Sequence, residues 1–464
     1  MLFNSFDFLY FLILLLIGYY IPFLGKLQVP LLILSSFFFY SYYDHYLIVL
    51  LGVVIIFNSM TSYQILKNKI YQKKKYLMWM SVLFNIGLLF IFKYKYQLFH
   101  DFITHESNSN NILRKFVELP LPIGLSFYCF QAVSLSVDLF RNDHKFVKHR
   151  SFFNHFFEVS LYLSFFPQLI AGPIVKSKQF LFQIEKKYFK NIQFDKFIKN
   201  LIVGYFLKIV IADNLATVLV RFKYSLIHDL ASFDLLAMLI GYTVQEFADF
   251  AGYSYIAIGL GYLFGYELPM NFNRPFIAKN ISEFWQRWHI SLTYWIKDYI
   301  YIPLGGNRGP LWKKNLNIIL SMLFSGLWHG ANFGFAVWGL LHGLALVIEK
   351  SFKPLSFILD YLKMFLVFAT FAFLMGFYKF GEIDQIYTFY HALFFNNINM
   401  NDYLLISQIF IYIFPVILYH LYVIFLSEEI RERLERYSFI GYALLVILLL
   451  TDYGVQNEFL YFRF

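Results

Sequence analysis

The sequence predicts an all-α, polytopic membrane protein, and three observations carry that reading. Of its 464 residues, 59% are hydrophobic and 22% aromatic, while only 15% are charged; an average soluble domain carries about 25% charged residues. Apolar runs of about 17 to 25 residues, the length that crosses a bilayer, recur along the whole chain. The basic residues sit in short loops between those runs. The formal net charge of +10 therefore reflects membrane topology, not nucleic-acid binding.

The elements follow in order. The first run, 6–23, has no basic residue ahead of it and no small-residue cleavage site, so it reads as a retained helix rather than a signal peptide. Spanning candidates lie near 6–24, 27–42, 46–64, 76–94, 120–140, 152–171, 197–220, 233–265, 315–333, 335–349, 360–378, 403–426 and 437–451. With some of these as half-helices, about eleven full crossings are expected. The loop "KNKIYQKKK" (67–75) has five lysines, "RNDHKFVKHR" (141–150) has four lysines or arginines, and 176–199 has seven lysines. The positive-inside rule makes these loops cytoplasmic. The segment "HDFITHESNSNN" (100–111) has neither lysine nor arginine and is expected outside, and counting back through three crossings from Lys67 puts the N-terminus outside as well. No loop is long enough for a separate soluble domain and no internal repeat is visible, so 1–464 reads as a single membrane-embedded domain. The single cysteine, Cys129, excludes an intramolecular disulfide and a cysteine-based metal cluster.

One stretch departs from the spanning pattern. "NISEFWQRWHISLTYWIKDYIYIPLGGNR" (280–308) carries Glu283, Arg287, His289, Lys297 and Asp298 among bulky aromatics. Each such charge costs roughly 2.5 to 3.5 kcal/mol at mid-bilayer even on the mildest scale, so they cannot face lipid. The segment is expected to be interfacial, re-entrant, or buried against protein around a polar cavity, ending in a glycine-rich turn.

The candidate chemistry centres on "SGLWHGANFGF" (325–335). Gly326, Gly330 and Gly334 recur every four residues, a spacing that lines one helix face where a second backbone can approach; Gly339 and Gly343 repeat it around His342. Both histidines then fit simple hydrogen bonding across tight helix contacts. His329 fits a chemical role equally well. A desolvated imidazole stays neutral and can take a proton from a hydroxyl, with Trp328 walling the site against water. His289, flanked by Trp288, reads as a structural histidine at the interface or as a second site group. Asp249 and Glu246 are intramembrane acids one turn apart that could orient a histidine, pair with Arg287, or satisfy backbone. Asn271, Asn273 and Arg274 read as polar lining. There is no Walker loop and no zinc pattern, and "GLGYLFG" (259–265) has no strand before it. Histidine, carboxylate and aromatics suit acyl transfer better than redox or metal chemistry.

"FADFAGYSYIAIGLGYLFGYELPMNFNRPF", "FWQRWHISLTYWIKDYIYIPLGGNR" and "GLWHGANFGFAVWGLLHG" occur in the order seen in membrane-bound O-acyltransferases, and "GLSFYCFQAVSLSVDLFR" (124–141) and "FPQLIAGPIVKSKQF" (166–180) match the same group. The chain resembles the bacterial cell-envelope branch of that family. The "PLGGNR" after His289 is closer to its peptidoglycan- and alginate-acetylating members than to its D-alanine-transferring ones. Two positions depart from the pattern: Tyr255 stands where an acidic or polar residue is expected, and Cys129 where a threonine is common.

The resemblance implies a ring of helices with re-entrant segments around a central funnel, in the bacterial inner membrane. It makes His329 the catalytic base and His289 the family's second histidine. The implied activity is transfer of acetyl from cytoplasmic acetyl-CoA, with no permanently bound cofactor and no metal, toward an envelope polysaccharide. Peptidoglycan is preferred and an alginate-type exopolysaccharide is the alternative. Arg287, Asp298, His289, Asp249, Asn273 and Trp328 are expected along the CoA path, and the lysines of 176–199 could attract CoA phosphates. A separate extracytoplasmic acyltransferase partner, of the PatB or AlgJ kind, is implied because the chain has no sugar-binding module. The aromatic tail "NEFLYFRF" (457–464) fits an interfacial belt, but it also resembles the branch's C-terminal motif, which would make Tyr461 an acyl relay on the outer face. From a different class, a lipid or polysaccharide translocator without covalent chemistry also fits broken helices and buried charge.

Overall fold

The computed structural model describes residues 1, 3–42, 45–105, 112–141, 151–351, 359–397, 402–452 and 454–455; Tyr461 and the rest of the aromatic tail lie outside the described residues. Among the described residues the regular structure is entirely helical. Among the described residues, seven helices are long and apolar enough to cross a membrane, or up to eight if Glu428–Glu435 and Ser438–Thr451, bent by 66°, form one span. The expectation of about eleven crossings is not reached on length alone, because several expected spans are short. The 6–24 run folds as Phe6–Tyr20, the 120–140 run as Leu125–Phe140, and the 152–171 run stops at Ser164.

The described residues group into two compact units, 1–197 with 257–269 and 198–256 with those from Met270 onward. In the first unit an aromatic cluster joins the N-terminal helices: Phe39 lies 6.0 Å from Phe8 and 5.3 Å from Phe166, ring centre to ring centre. Beside it runs a ladder of buried polar side chains. Asn58, on His45–Lys67, accepts from Ser81 at 2.8 Å and from Asn85 at 2.9 Å, both on Tyr71–His105. Ser136, on Leu125–Phe140, donates to Ser81 at 2.7 Å, and Ser62 meets His155 at 2.7 Å. With no water to compete, small polar residues that bond from helix to helix act as glue in an apolar surrounding.

The second unit holds the charged and histidine-bearing segments. Its first helix, from Phe194, passes into a π-helical stretch at Phe206–Asp213. There the Lys208 ammonium is buried between two carboxylates, at 2.9 Å from Asp213 and 2.7 Å from Asp249. Near the end of the described chain, Asn214 donates to the carbonyl of Asp452 at 3.4 Å.

Candidate active site

The polar stretch expected at 280–308 is a broken helix. Asn280 caps Ile281–Arg287 by accepting from the Glu283 amide at 2.7 Å, satisfying one of the helix's orphan N–H groups. Trp288 is then extended, and His289 adopts φ 41° and ψ 52° before Ile290–Ile296 begins. Arg274 has φ 48°, and these are the two non-glycine residues with positive φ among the described residues. Left-handed backbone at a histidine is strained and persists only where neighbours over-determine it. The neighbours here are in the 270–274 strap. The Ile290 amide donates to the carbonyl of Asn271 and the Asn273 amide to that of Arg287, each at 2.9 Å. The Asn271 side chain accepts from Ser291 at 2.6 Å and donates to Ser254 at 3.0 Å. The strap therefore holds the break open and fixes where the His289 ring stands.

His329 is the last residue of Leu311–His329, which returns through a short turn into Phe333–Ser351. These two helices cross very closely. A Cβ on Gly326 would strike the Phe335 carbonyl and one on Gly339 the Met322 carbonyl, while the Gly326 Cα lies 3.1 Å from that Gly339 position. The expected stripe of Gly326, Gly330 and Gly334 is corrected by this geometry. The helix stops at His329, so Gly330 falls in the turn and Gly334 packs on the Phe377–Gly381 backbone instead. The close approach belongs to Gly326, Gly339 and Gly343.

The two histidines come together. The Trp328 indole lies 4.8 Å from the His329 ring and 5.8 Å from the His289 ring, so it stands against both. Both imidazoles are buried. His329 Nδ1 meets the Tyr378 hydroxyl at 3.1 Å, and Trp338 closes edge-on at 5.5 Å. Tyr378 drew no notice in the sequence, where it is one of 37 tyrosines.

The other expected residues have contacts of their own. Asp249 is committed to Lys208, 2.7 Å away. Arg287 pairs with Glu283 at 2.8 Å and donates to the Asn273 carbonyl at 3.1 Å. Asn273 is exposed, and Asp298 lies in the π-helical stretch Lys297–Tyr301, half-buried. Lys208 could have been found from sequence, since a lysine inside "YFLKIVIADN" breaks an apolar run. A cavity of about 390 Å³ opens beside this segment; its walls include Trp285, Gln286, Thr293, Lys297, Ser321 and Lys350, and not His289, Arg287 or Asp298.

The site thus offers a buried imidazole held at one nitrogen by a phenol, a second histidine across an indole, and a nearby cavity with two ammonium groups. The sequence profile of the membrane-bound O-acyltransferase family (MBOAT) matches residues 35–357. The chain is 39% identical to the probable alginate O-acetylase AlgI of Azotobacter vinelandii, over 50% of this chain and 45% of that protein. It is 34% identical to the peptidoglycan O-acetyltransferase of Helicobacter pylori, over 69% of this chain and 64% of that protein. It is 31% identical to the teichoic acid D-alanyltransferase of Bacillus subtilis, over 41% of this chain and 51% of that protein. The matches span less than two thirds of the length of each of these relatives.

Proposed function

Because the chain belongs to the membrane-bound O-acyltransferase family, we propose that it transfers acetyl from acetyl-CoA toward an envelope polysaccharide with His329 as general base. The observation that carries this reading is the hold on His329. In the tautomer with its proton on Nδ1, the ring donates to the Tyr378 oxygen 3.1 Å away, and Nε2 keeps its lone pair. Nε2 takes the proton of an acceptor hydroxyl as that oxygen attacks the thioester carbonyl. When the carbon–sulfur bond breaks, the imidazolium returns the proton to the leaving thiolate. Tyr461 serves as the first acceptor in this scheme. A phenyl ester is an activated donor for the next transfer, and a separate extracytoplasmic acyltransferase would pass the acetyl to the polymer.

Peptidoglycan is the preferred polymer, since the match to the peptidoglycan O-acetyltransferase runs over 348 residues against 234 for the alginate O-acetylase. The higher identity of the alginate relatives favours the second reading, an exopolysaccharide acceptor. Purified protein is expected to release CoA from acetyl-CoA, and His329→Ala to slow that release by about 10²- to 10⁴-fold, the range for a lost general base. Unchanged turnover in His329→Ala would end the assignment. Muropeptides from a deletion strain are expected to lack O-acetyl groups; unchanged muropeptides would transfer the proposal to exopolysaccharide.

A further inference from the structure

The strap that holds the break at His289 ends in a cation with no counter-charge. Arg274 is half-buried; among the described residues it makes no ion pair, and its buried Nε has no hydrogen-bond partner. The next cations along the chain are supplied: Lys279 pairs with Asp360 at 2.6 Å and Arg287 with Glu283 at 2.8 Å. The buried Lys208 has two carboxylates. What surrounds the Arg274 guanidinium is aromatic instead. Its central carbon lies 5.3 Å from the centre of the Tyr419 ring and 5.2 Å from that of Tyr422. The Tyr419 hydroxyl is in turn 3.3 Å from that of Tyr255, so that ring is tethered.

Two further facts give this cation a place and a cost. Tyr419 and Tyr422 lie in the last two turns of Tyr403–Phe425, a helix long and apolar enough to cross a bilayer, and the chain then enters the exposed, charged helix Glu428–Glu435. The tyrosine-bearing end of a spanning helix lies at the level of the lipid headgroups. Arg274 also stands at φ 48°, a backbone that is strained at any residue with a side chain, and such strain collects at ligand clamps. Two tyrosine faces stabilise a guanidinium without using its N–H groups. The planar fork is thus held while its donors are left for an anion, and a phosphodiester presents two oxygens that the fork matches. We propose that Arg274, clamped by Tyr419 and Tyr422, binds the phosphate of a membrane phospholipid. Arg274 is not among the walls of the 390 Å³ cavity, so the two sites are separate. The lipid site requires nothing of the chemistry at His329.

The test titrates purified protein in detergent and follows the thermal midpoint, which rises as a ligand fills a site present only in the folded state. Phosphatidylglycerol carries phosphate and chains, diacylglycerol the chains alone, and glycerophosphoglycerol the headgroup alone. Phosphatidylglycerol is expected to raise the midpoint of wild type. Arg274→Gln is expected to weaken its Kd by about 10- to 100-fold, the range for a lost charge-assisted hydrogen bond. Arg274→Lys, which keeps the charge and loses the fork, is expected to fall between the two. Tyr422→Leu keeps the guanidinium and removes one ring face, and is expected to weaken the Kd about two- to fivefold. Diacylglycerol is expected to treat wild type and Arg274→Gln alike. Glycerophosphoglycerol is expected to bind wild type at least about tenfold more weakly than the lipid, because it buries no chain. Equal phosphatidylglycerol affinity in wild type and Arg274→Gln would overturn the site. Unchanged affinity in Tyr422→Leu would overturn the clamp, whether or not Arg274→Gln folds. An equal loss for diacylglycerol would show that Arg274 acts through packing and not through phosphate. Glycerophosphoglycerol binding as tightly as the lipid, and lost in Arg274→Gln, would assign the site to a soluble phosphate compound and overturn the lipid.

Discussion

Two groups of buried polar residues, one in each unit, behave differently. In the first, Asn58, Asn85, Ser81 and Ser136 bond to one another from helix to helix at 2.7 to 3.2 Å. In the second, His342, Trp285 and Trp338 touch as rings and make no hydrogen bond among the described residues. Both groups are buried, and both look alike in sequence as polar letters within apolar runs. The difference teaches that burial of polarity does not by itself mark a site. The ladder is explained by folding, because each group is satisfied by another helix. The aromatic group has no such hydrogen-bond partner among the described residues.

Lys208 tests that distinction from inside the second unit. It is as buried as His342, yet it lies between Asp213 and Asp249. By the criterion above it is structural. Lys208→Met leaves two carboxylates without their cation in an apolar site, and removing one partner of a buried ion group costs about 3 to 5 kcal/mol. The expected outcome is a large fall in thermal midpoint or loss of folded protein in detergent. A stable, inactive Lys208→Met protein would show that the triad does chemistry and that the criterion fails.

Gly339→Ala comes next in size. The added Cβ collides with the Met322 carbonyl at the crossing that carries His329 at its end. Overpacking of this kind costs about 1 to 3 kcal/mol. Because the shift falls on the helix that ends at His329, the proposed base, turnover is expected to drop along with the midpoint. Asn58→Ala should cost less, about 1 to 2 kcal/mol for three interhelical bonds in an apolar medium. Its KM values and the turnover per folded molecule are expected to match wild type. If Asn58→Ala changes the KM for acetyl-CoA, the ladder is not mere glue.

How much of this was legible in the sequence depended on whether a residue broke a pattern. The helical class follows from apolar runs, and His329 stood out because a histidine beside tryptophan interrupts such a run. The close crossing at Gly326 and Gly339 was legible as small residues in register, but the end of the helix at His329 was not, so Gly330 and Gly334 were put on the wrong face. The left-handed backbone at His289 had no signal either, since no glycine marks it and the strap that enforces it comes from Asn271 and Asn273. Asp249 was expected on the CoA path; its partner Lys208 lies 41 residues away, a separation that periodicity cannot see.

Tyr378 gives the smallest expected effect and the sharpest reading of the second unit. It is the hydrogen-bond partner of a histidine that would otherwise resemble His342, a buried ring among aromatics. The Tyr378 oxygen 3.1 Å from Nδ1 does two things. It holds the ring plane, and in the tautomer proposed above it accepts the Nδ1 proton and leaves Nε2 as the basic nitrogen. Tyr378→Phe keeps the aromatic packing against His329, with ring centres 5.1 Å apart, and removes only the oxygen. A single neutral hydrogen bond contributes about 0.5 to 1.5 kcal/mol, which corresponds to at most about a tenfold change in rate. The loss is expected in kcat, because the tautomer matters to proton transfer and not to holding acetyl-CoA; the KM for acetyl-CoA should stay at its wild-type value. If Tyr378→Phe raises KM and spares kcat, then Tyr378 binds the donor, and the base must be oriented by another group.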